Sequence, residues 1–463
     1  MDPSWDPVHL VGIGGAGMSA IARTLQESGR TVSGSDSRDS AVVGILRSLG
    51  IRVHIGHRPD HVEGARLVIA STAVPGDNPE IEFAKRAGVP VMPRGEALAR
   101  IVHGRRTIAV GGTHGKTTTC GMIATVLETA GADPTYLVGA DISQRGAGAK
   151  LGAGPTAVVE ADEAYGSFLH LKPSVAVITN VDDDHLDHYE TREALEGAFA
   201  SFMRAATERL IVCRHDSRAM ALAEGLNPAT YGLDDECDFQ ASDLFLGAGR
   251  ATFRLNVSGR DAGVIRLRIG GRHNVLNALG AISACVTIGL GVKEIAVGLE
   301  AFKGMSRRFE YRGTFRGAHL VDDYAHHPAE IEATLSAART GPWKRVLAVF
   351  QPHLFSRTQS LFNEFATSLT AADVVVVTDV YGAREDPIPG VTGKLIVEAL
   401  CDATPGKTVG YMPRLHDAAV FVRRILRPGD LVLTLGAGDI TTLPERLAER
   451  NSPGTLDVIG TAG

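Results

Sequence analysis

The chain has 463 residues, too many for one ordinary hydrophobic core and enough for about three domains. Hydrophobic residues make up 44%, charged residues 22% and the net charge is -6, which excludes a disordered chain and gives no polybasic signature for nucleic acid. Five widely spaced cysteines without a CxxC pair suggest neither a disulfide framework nor a zinc site; the opening MDPSWDPVHL lacks the basic and apolar regions expected of a secretory leader, and no run of 18 apolar residues occurs. The expected setting is a reducing cytoplasm, with no membrane partner.

The first stretch, to about residue 93, alternates short apolar runs at 9–13, 31–35 and 66–69 with a helical segment at 18–28, a βαβ rhythm. Gly12, Gly14 and Gly17 form GxGxxG between the first strand and its helix, and Asp36 closes the next strand nineteen residues after Gly17. Such a loop places an anionic group, a diphosphate, at a helix N-terminus. It does not specify a nicotinamide dinucleotide, because a nucleotide-sugar carries a pyrophosphate too. Glycines of purely structural purpose are the alternative.

A second unit opens at Arg105. The run 107–110 reads as a buried strand, 118–131 as a helix, and the stretch between them, VGGTHGKTTT, as a phosphate cradle. Gly111, Gly112 and Gly115 let backbone N–H groups approach phosphate oxygens, Lys116 reaches the β- and γ-phosphates, and the Thr117 hydroxyl takes a place on Mg²⁺. ATP is the expected ligand. The ordinary P-loop pattern wants glycine where Val110 stands, so this loop is one residue short.

Further parallel strands are expected at 157–160, 174–179 and 210–213. The first ends in Glu160, Asp162 and Glu163, well placed to hold Mg²⁺, with Glu160 the first choice. The next ends in Asn180, Asp182, Asp183, Asp184, His185, Asp187 and His188; one imidazole there, His185, can ligate a metal, while the aspartates read equally well as a solvated helix cap. Alternation at 252–257 and 264–269 suggests an antiparallel insert within 233–271. Asn274 and Asn277 then share one face at a helix start, suited to a nucleotide base, with capping by Asn274 as the competing role.

The last set of strands, at 320–324, 345–350, 374–378 and 430–435, is decorated at its ends with Arg307, Arg308, Asp322, Asp323, Tyr324, His326, His327, His353 and Arg357. Arginines in that company suggest recognition of a carboxylate or phosphate. The tail 451–463 reads as frayed.

Taken together and in this order, GIGGAGMSAIA, GSD, STAV, GTHGKTTT, VEADE, ITNVDDDHLD, GRHNVLNALGA, RRFE, DDYAHHP, QPH and GAGDI resemble the ATP-dependent Mur ligases of peptidoglycan synthesis nearly end to end. That resemblance implies three α/β domains: an N-terminal Rossmann-like one at 1–104 for a UDP-sugar, a central P-loop ATPase-type parallel sheet with a small antiparallel insert at 105–309, and a C-terminal Rossmann-like one at 310–463 for the amino acid. The family's shorter GTxGKT cradle accounts for Val110.

Carried over by motif, the resemblance gives the nucleotide loop as Gly111, Gly112, Thr113, His114, Gly115, Lys116, Thr117 and Thr118. It makes Lys116, Glu160 and His185 catalytic and Thr117, Glu160 and His185 ligands of Mg²⁺, with Mn²⁺ as the alternative ion. Asn274, Asn277, Arg308 and Asp322 would meet the nucleotide. Gly14, Gly15, Ala16, Gly17, Met18, Asp36, Ser71 and Thr72 would hold the UDP-sugar, and Tyr324, His326 and Arg357 the reacting substrates.

The implied substrates are UDP-N-acetylmuramate, L-alanine and ATP, joined through an acyl phosphate by a monomer or weak homodimer. His185 and His326 are the candidate bases. Two sequence features bear on the amino acid. Members of the family often carry QPHRYTRT where this chain has QPHLFSRT, so Leu354 removes a cation and leaves the carboxylate to Arg357 or another arginine. The segment 193–204 holds no lysine, unlike siblings that add later residues and carry a carbamylated lysine downstream of the DH motif. A dinucleotide-dependent oxidoreductase, the main rival from another class, leaves GTHGKTTT unexplained.

Overall fold

The computed structural model describes residues 3–183, 186–247, 249–383 and 385–448, so His185 and the tail 451–463 lie outside the described residues. The chain divides into two compact units, Met1–Ser306 and Arg307–Gly463.

The first unit contains two sheets. Strands β1 (Val8–Val11), β2 (Val32–Asp36), β3 (Arg52–Ile55), β4 (Leu67–Ala70) and β5 (Val91–Pro93) are all parallel, in the order β3-β2-β1-β4-β5. Every residue of β1 is buried, as a central parallel strand covered on both faces requires. This order reverses direction beside β1 and opens a crevice beyond the strand ends. The loop after β1 enters that crevice, and the helix Ala16–Glu27 follows it.

The second sheet draws on β6 (Arg106–Gly111), β7 (Thr135–Ile142), β8 (Ala147–Lys150), β9 (Thr156–Glu160), β10 (Val175–Ile178), β11 (Arg209–Cys213), β12 (Ala229–Gly232), β13 (Phe239–Gly247), β14 (Arg250–Val257) and β15 (Arg260–Leu267). Their order is β15-β14-β13-β12-β11-β10-β6-β9-β7-β8. The antiparallel segment expected near 233–271 is present, but it is not a separate layer. Strand β13 pairs in parallel with β12, and β14 and β15 continue from it as the antiparallel edge of the same sheet. A second antiparallel pair, β7 with β8, forms the opposite edge.

One apolar core runs from the first sheet to the near face of the second, joining Leu10, Met18 and Ile101 to Ala109, Phe168 and Phe202. Phe168 stacks on Phe202 at 5.0 Å and meets Phe199 edge-on at 5.2 Å. A Cβ at Gly111 would lie 2.9 Å from the Phe202 ring, so only glycine there lets the helix Arg192–Arg204 press against the end of β6.

The second unit is built on β16 (Glu310–Phe315), β17 (Ala318–Asp323), β18 (Arg345–Phe350), β19 (Val374–Val377), β20 (Thr408–Tyr411) and β21 (Asp430–Leu435), ordered β16-β17-β21-β18-β19-β20. Only β16 is antiparallel. Among the described residues no helix is long and apolar enough to cross a membrane. All five cysteines are free, four of them buried.

Candidate active site

The cradle lies between β6 and the helix Lys116–Thr129, which begins two residues earlier than its apolar spacing predicts. Gly115 makes this possible by standing at the N-cap with φ +84°, a left-handed conformation that brings Lys116 into the first turn. At Gly112, φ is +129° and a Cβ would fall 2.0 Å from Thr179 Oγ1. At Gly115 a Cβ would fall 2.5 Å from Asn277 Oδ1. Both glycines therefore serve close approach as well as conformation. Thr118 is buried beneath the same turn.

The end of β10 clamps this loop, a role the sequence did not disclose. Asn180 Oδ1 accepts from the His114 N–H at 2.8 Å while its Nδ2 donates to the His114 carbonyl at 3.0 Å. Thr179 Oγ1 donates to the same carbonyl at 2.5 Å, and the Asp182 N–H donates to Thr113 Oγ1 at 2.8 Å. Asp183 is engaged elsewhere, by the guanidinium groups of Arg192 and Arg218.

Thr117 Oγ1 donates to Glu160 Oε1 at 3.0 Å, and Glu160 Oε2 accepts from the Gly139 N–H at 2.7 Å. Two oxygens in adjacent positions of an octahedral Mg²⁺ shell, with bonds of about 2.1 Å, stand about 3.0 Å apart. The donors are hard oxygens at that separation, so this pair fits the ion the family implies. Lys116 is buried and its Nζ contacts Glu163 Oε1 at 3.0 Å, Glu163 Oε2 at 2.7 Å and the Gly112 carbonyl at 2.5 Å. Burial pushes the ammonium pKa down, but Glu163, with Asp162 and Glu160 behind it, outweighs burial and holds it above that of an ordinary lysine.

Asn274 and Asn277 are buried at the start of the helix Arg272–Thr287. The helix is capped by Gly271 rather than by Asn274, whose Nδ2 donates to the Gly270 carbonyl at 2.7 Å. Asn277 Nδ2 donates to Asn274 Oδ1 at 3.2 Å, which leaves its own Oδ1 against the cradle at Gly115.

In the first sheet, the Gly14 N–H donates to Asp36 Oδ2 at 2.9 Å, so the acid at the end of β2 holds the glycine loop itself. Gly15 and Ala16 are exposed at the helix N-terminus, Met18 is buried in the core beneath, and Ser71 packs on Gly12 with Thr72 beside it, half-buried. A Cβ at Gly17 would strike the Arg94 guanidinium, whose Nη2 donates to Asp162 Oδ2 at 2.8 Å. Arg94, which no motif singled out, thus links the first glycine loop to the acidic turn after β9.

Glu80 was likewise invisible in the sequence. It is fully buried and accepts from Ser35 Oγ at 2.5 Å, with His57 Nδ1 at 3.1 Å and His61 Nδ1 at 2.7 Å. Burial alone would raise its carboxyl pKa, but the nearby His9 imidazole, 3.7 Å away, and the hydrogen bonds of Ser35 and His61 prevail and hold it at about 2.

In the second unit, Asp322 is buried and bound internally, by Thr434 Oγ1 at 2.5 Å, Thr441 Oγ1 at 2.7 Å and Arg307 Nε at 3.3 Å. Arg307 and Arg308 lie over the Tyr324 ring at 4.9 and 5.3 Å, and Arg308 also reaches Glu330 at 3.4 Å. His326 meets the Tyr324 ring edge-on at 5.0 Å and the His353 ring at 5.7 Å. Burial pushes Asp323 up to about 6. Arg357 lies in the first turn of the helix Phe355–Ser368, directly after Leu354, which takes φ +70°. A leucine in that region costs roughly 1–3 kcal/mol, strain that neighbouring packing must sustain.

Three family profiles match the chain in succession: the Mur ligase family catalytic domain over residues 7–106, the Mur ligase middle domain over 110–285, and the Mur ligase glutamate ligase domain over 307–438. The chain is 45% identical over 438 residues to the UDP-N-acetylmuramate–L-alanine ligase of Solidesulfovibrio magneticus, covering 94% of this chain and 95% of that protein. A protein of the same name from Thermobifida fusca is 44% identical over 456 residues, covering 96% of each. Among solved structures, the UDP-N-acetylmuramate–alanine ligase of Thermotoga maritima matches with a TM-score of 0.83 at 29% identity, over 96% of this chain and 98% of that one. The murein peptide ligase of Psychrobacter arcticus matches with a TM-score of 0.72 at 25% identity, over 96% and 98%. With a shortened phosphate cradle on the central sheet and likeness along nearly its whole length, the chain belongs to the Mur ligase family, three-domain α/β enzymes that use ATP to form an amide bond.

Proposed function

We propose that this chain joins L-alanine to the lactyl carboxylate of UDP-N-acetylmuramate, releasing ADP and phosphate, as the first amino-acid addition to the peptidoglycan precursor. The observation that carries this reading is the 44–45% identity, over at least 94% of both partners, to relatives named for that reaction. We assign residues 1–104 to the UDP-sugar, 105–309 to ATP and 310–463 to the amino acid, in a bacterial cytoplasmic enzyme that acts as a monomer or weak homodimer.

A carboxylate is a poor electrophile, so it must first be activated. One lactyl oxygen attacks the γ-phosphorus of ATP, the bond to the bridging oxygen breaks, and ADP leaves an acyl phosphate behind. The amine of alanine, as its free base, then attacks the acyl carbon; phosphate departs, the amide forms and a proton is released. Lys116, in the first turn of the cradle helix, is suited to hold the phosphoryl oxygens. Thr117 and Glu160, with His185, would hold Mg²⁺, or Mn²⁺ in its place, and the bound ion supplies neutralising charge to the transferring group. The Gly14–Met18 turn, Asp36, Ser71 and Thr72 line the proposed diphosphate site. Tyr324, His326 and Arg357, with Arg308, are the groups we assign to the amino acid and the nucleotide.

Phosphate release from ATP, measured with UDP-N-acetylmuramate and a panel of amino acids and peptides, tests the reading. Alanine should give the strongest response, and Lys116→Ala should abolish it. Silence with alanine, or a clear preference for glycine, serine or a tripeptide, would overturn the assignment.

A further inference from the structure

The helix Phe355–Ser368, which carries Arg357 in its first turn, begins without a side-chain cap of its own. Leu354 stands at its N-cap position, and an aliphatic side chain offers no acceptor to the open N–H groups of that turn. Glu385 supplies the acceptor from 29 residues away: Oε2 accepts from the Ser356 N–H at 2.9 Å and Oε1 from Ser356 Oγ at 2.5 Å. A carboxylate at that end also meets the positive pole of the helix dipole.

The loop that brings Glu385 there is fastened to the helix start at further points. The Leu354 N–H donates to the Tyr381 carbonyl at 3.0 Å, and the Tyr381 N–H donates to the Pro352 carbonyl at 2.8 Å. A Cβ at Gly382 would lie 2.6 Å from the Phe355 ring, so the chain after β19 rests closely on the first helical residue. Leu354 itself holds φ +70°, which a leucine keeps only where its surroundings impose it. Thr358 secures the turn from within, its N–H and Oγ1 donating to the Leu354 carbonyl at 3.1 and 2.8 Å. Arg357 falls between the two anchored residues, Ser356 and Thr358. Burial raises the Tyr324 phenol, and the charge of Arg357 acts with those of Arg307 and Arg308 against that rise, which places its guanidinium in the same cationic surroundings.

We propose that Glu385 is a positioning residue: as the remote cap of this helix, it sets the direction in which Arg357 presents its guanidinium to the carboxylate of the incoming amino acid. This rests on the reading that Arg357 meets that carboxylate. Pairing of a guanidinium with a carboxylate is bidentate and directional, so a first turn left to fray holds the substrate less tightly. Glu385 touches no reacting atom, and its effect passes through Arg357.

Steady-state phosphate release from ATP, with UDP-N-acetylmuramate saturating and L-alanine varied, tests this on the full chain. Glu385→Ala should raise the alanine KM about five- to thirtyfold and leave kcat and the KM for ATP within about twofold of wild type. Glu385→Gln, which keeps one acceptor for Ser356, should show a smaller rise, and it carries the same comparisons if the alanine variant does not fold. L-Alaninamide, which lacks the carboxylate, separates positioning from general loosening: the preference for alanine over it in kcat/KM should shrink by the factor by which the alanine KM grows. In an Arg357→Ala background, Glu385→Ala should add less than about twofold. An alanine KM within about twofold of wild type in folded Glu385→Ala overturns the proposal, as does an undiminished preference for alanine or an equal effect with and without Arg357. An Arg357→Ala protein that keeps the wild-type alanine KM would instead defeat the reading of this arginine as the partner of the carboxylate.

Discussion

Asn180 offers a direct measure of how the phosphate loop is held. Replacing it with alanine removes the acceptor 2.8 Å from the His114 N–H and the donor 3.0 Å from the His114 carbonyl. Each hydrogen bond contributes about 1 kcal/mol net, and the stranded His114 N–H adds a further penalty, so the loop loses roughly 2–3 kcal/mol of preference for its present shape. Where that cost falls on nucleotide binding, affinity drops about 30- to 150-fold.

Thr179→Val removes one donor from the same carbonyl and should cost about 1 kcal/mol. Because the two side chains share an acceptor, the double variant should depart from the sum of the singles. Calorimetric titration with ADP and Mg²⁺, paired with thermal unfolding to verify the fold, reads both effects. A folded Asn180→Ala protein binding within about threefold of wild type would mean that the glycine backbone alone sets the loop, and the clamp argument would fail.

Two other substitutions probe separate features. Thr117→Val keeps the side-chain volume but deletes the hydroxyl 3.0 Å from Glu160, and should raise the Mg²⁺ concentration for half-maximal nucleotide binding about tenfold; an unchanged midpoint would count against a shared ion. Glu80→Gln should cost about 2–4 kcal/mol, seen as a lower unfolding temperature, because it breaks a buried network. Glu80 is held at about 2 against an ordinary 4.5, so its contribution is complete above the latter pH and lost as pH falls toward the former. The acid loss of stability should therefore be shallower in the variant, and equal slopes would refute the assignment.

Local chemistry was legible in the sequence wherever a residue type had no substitute. Glycines at 111, 112 and 115 followed by Lys116 and Thr117 announce a phosphate loop, and β18 and β21 begin and end where their apolar runs predict. The helix start was misread because apolar spacing begins after Lys116, whereas the backbone turn is fixed by Gly115. The β7–β8 hairpin escaped notice because Gly139 and Asp141 interrupt its apolar pattern, and β13 because its ladder is bulged between Ser242 and Phe245.

Pairings over long separations left no local trace. Glu163 lies 47 residues from Lys116, and Arg94 lies 68 from Asp162. The histidines at 9, 57 and 61 converge on Glu80 only because β1 and the turns after β3 and β4 meet at one end of their sheet. Chain folding, rather than periodicity, creates those contacts.

The apolar core that continues from Leu10 and Met18 to Phe168 and Phe202 has a bearing on how the molecule comes apart. Two sheets that share side chains across their boundary have no inexpensive plane of separation, so residues from Val8 to Ala223 should exchange their slowest amide hydrogens through one common opening. Cutting the chain between the sheets would expose the ring cluster beneath the phosphate loop to water. The first sheet is then a structural buttress of the glycine loop that follows β6, and damage to its interior would be felt first as a loosened loop.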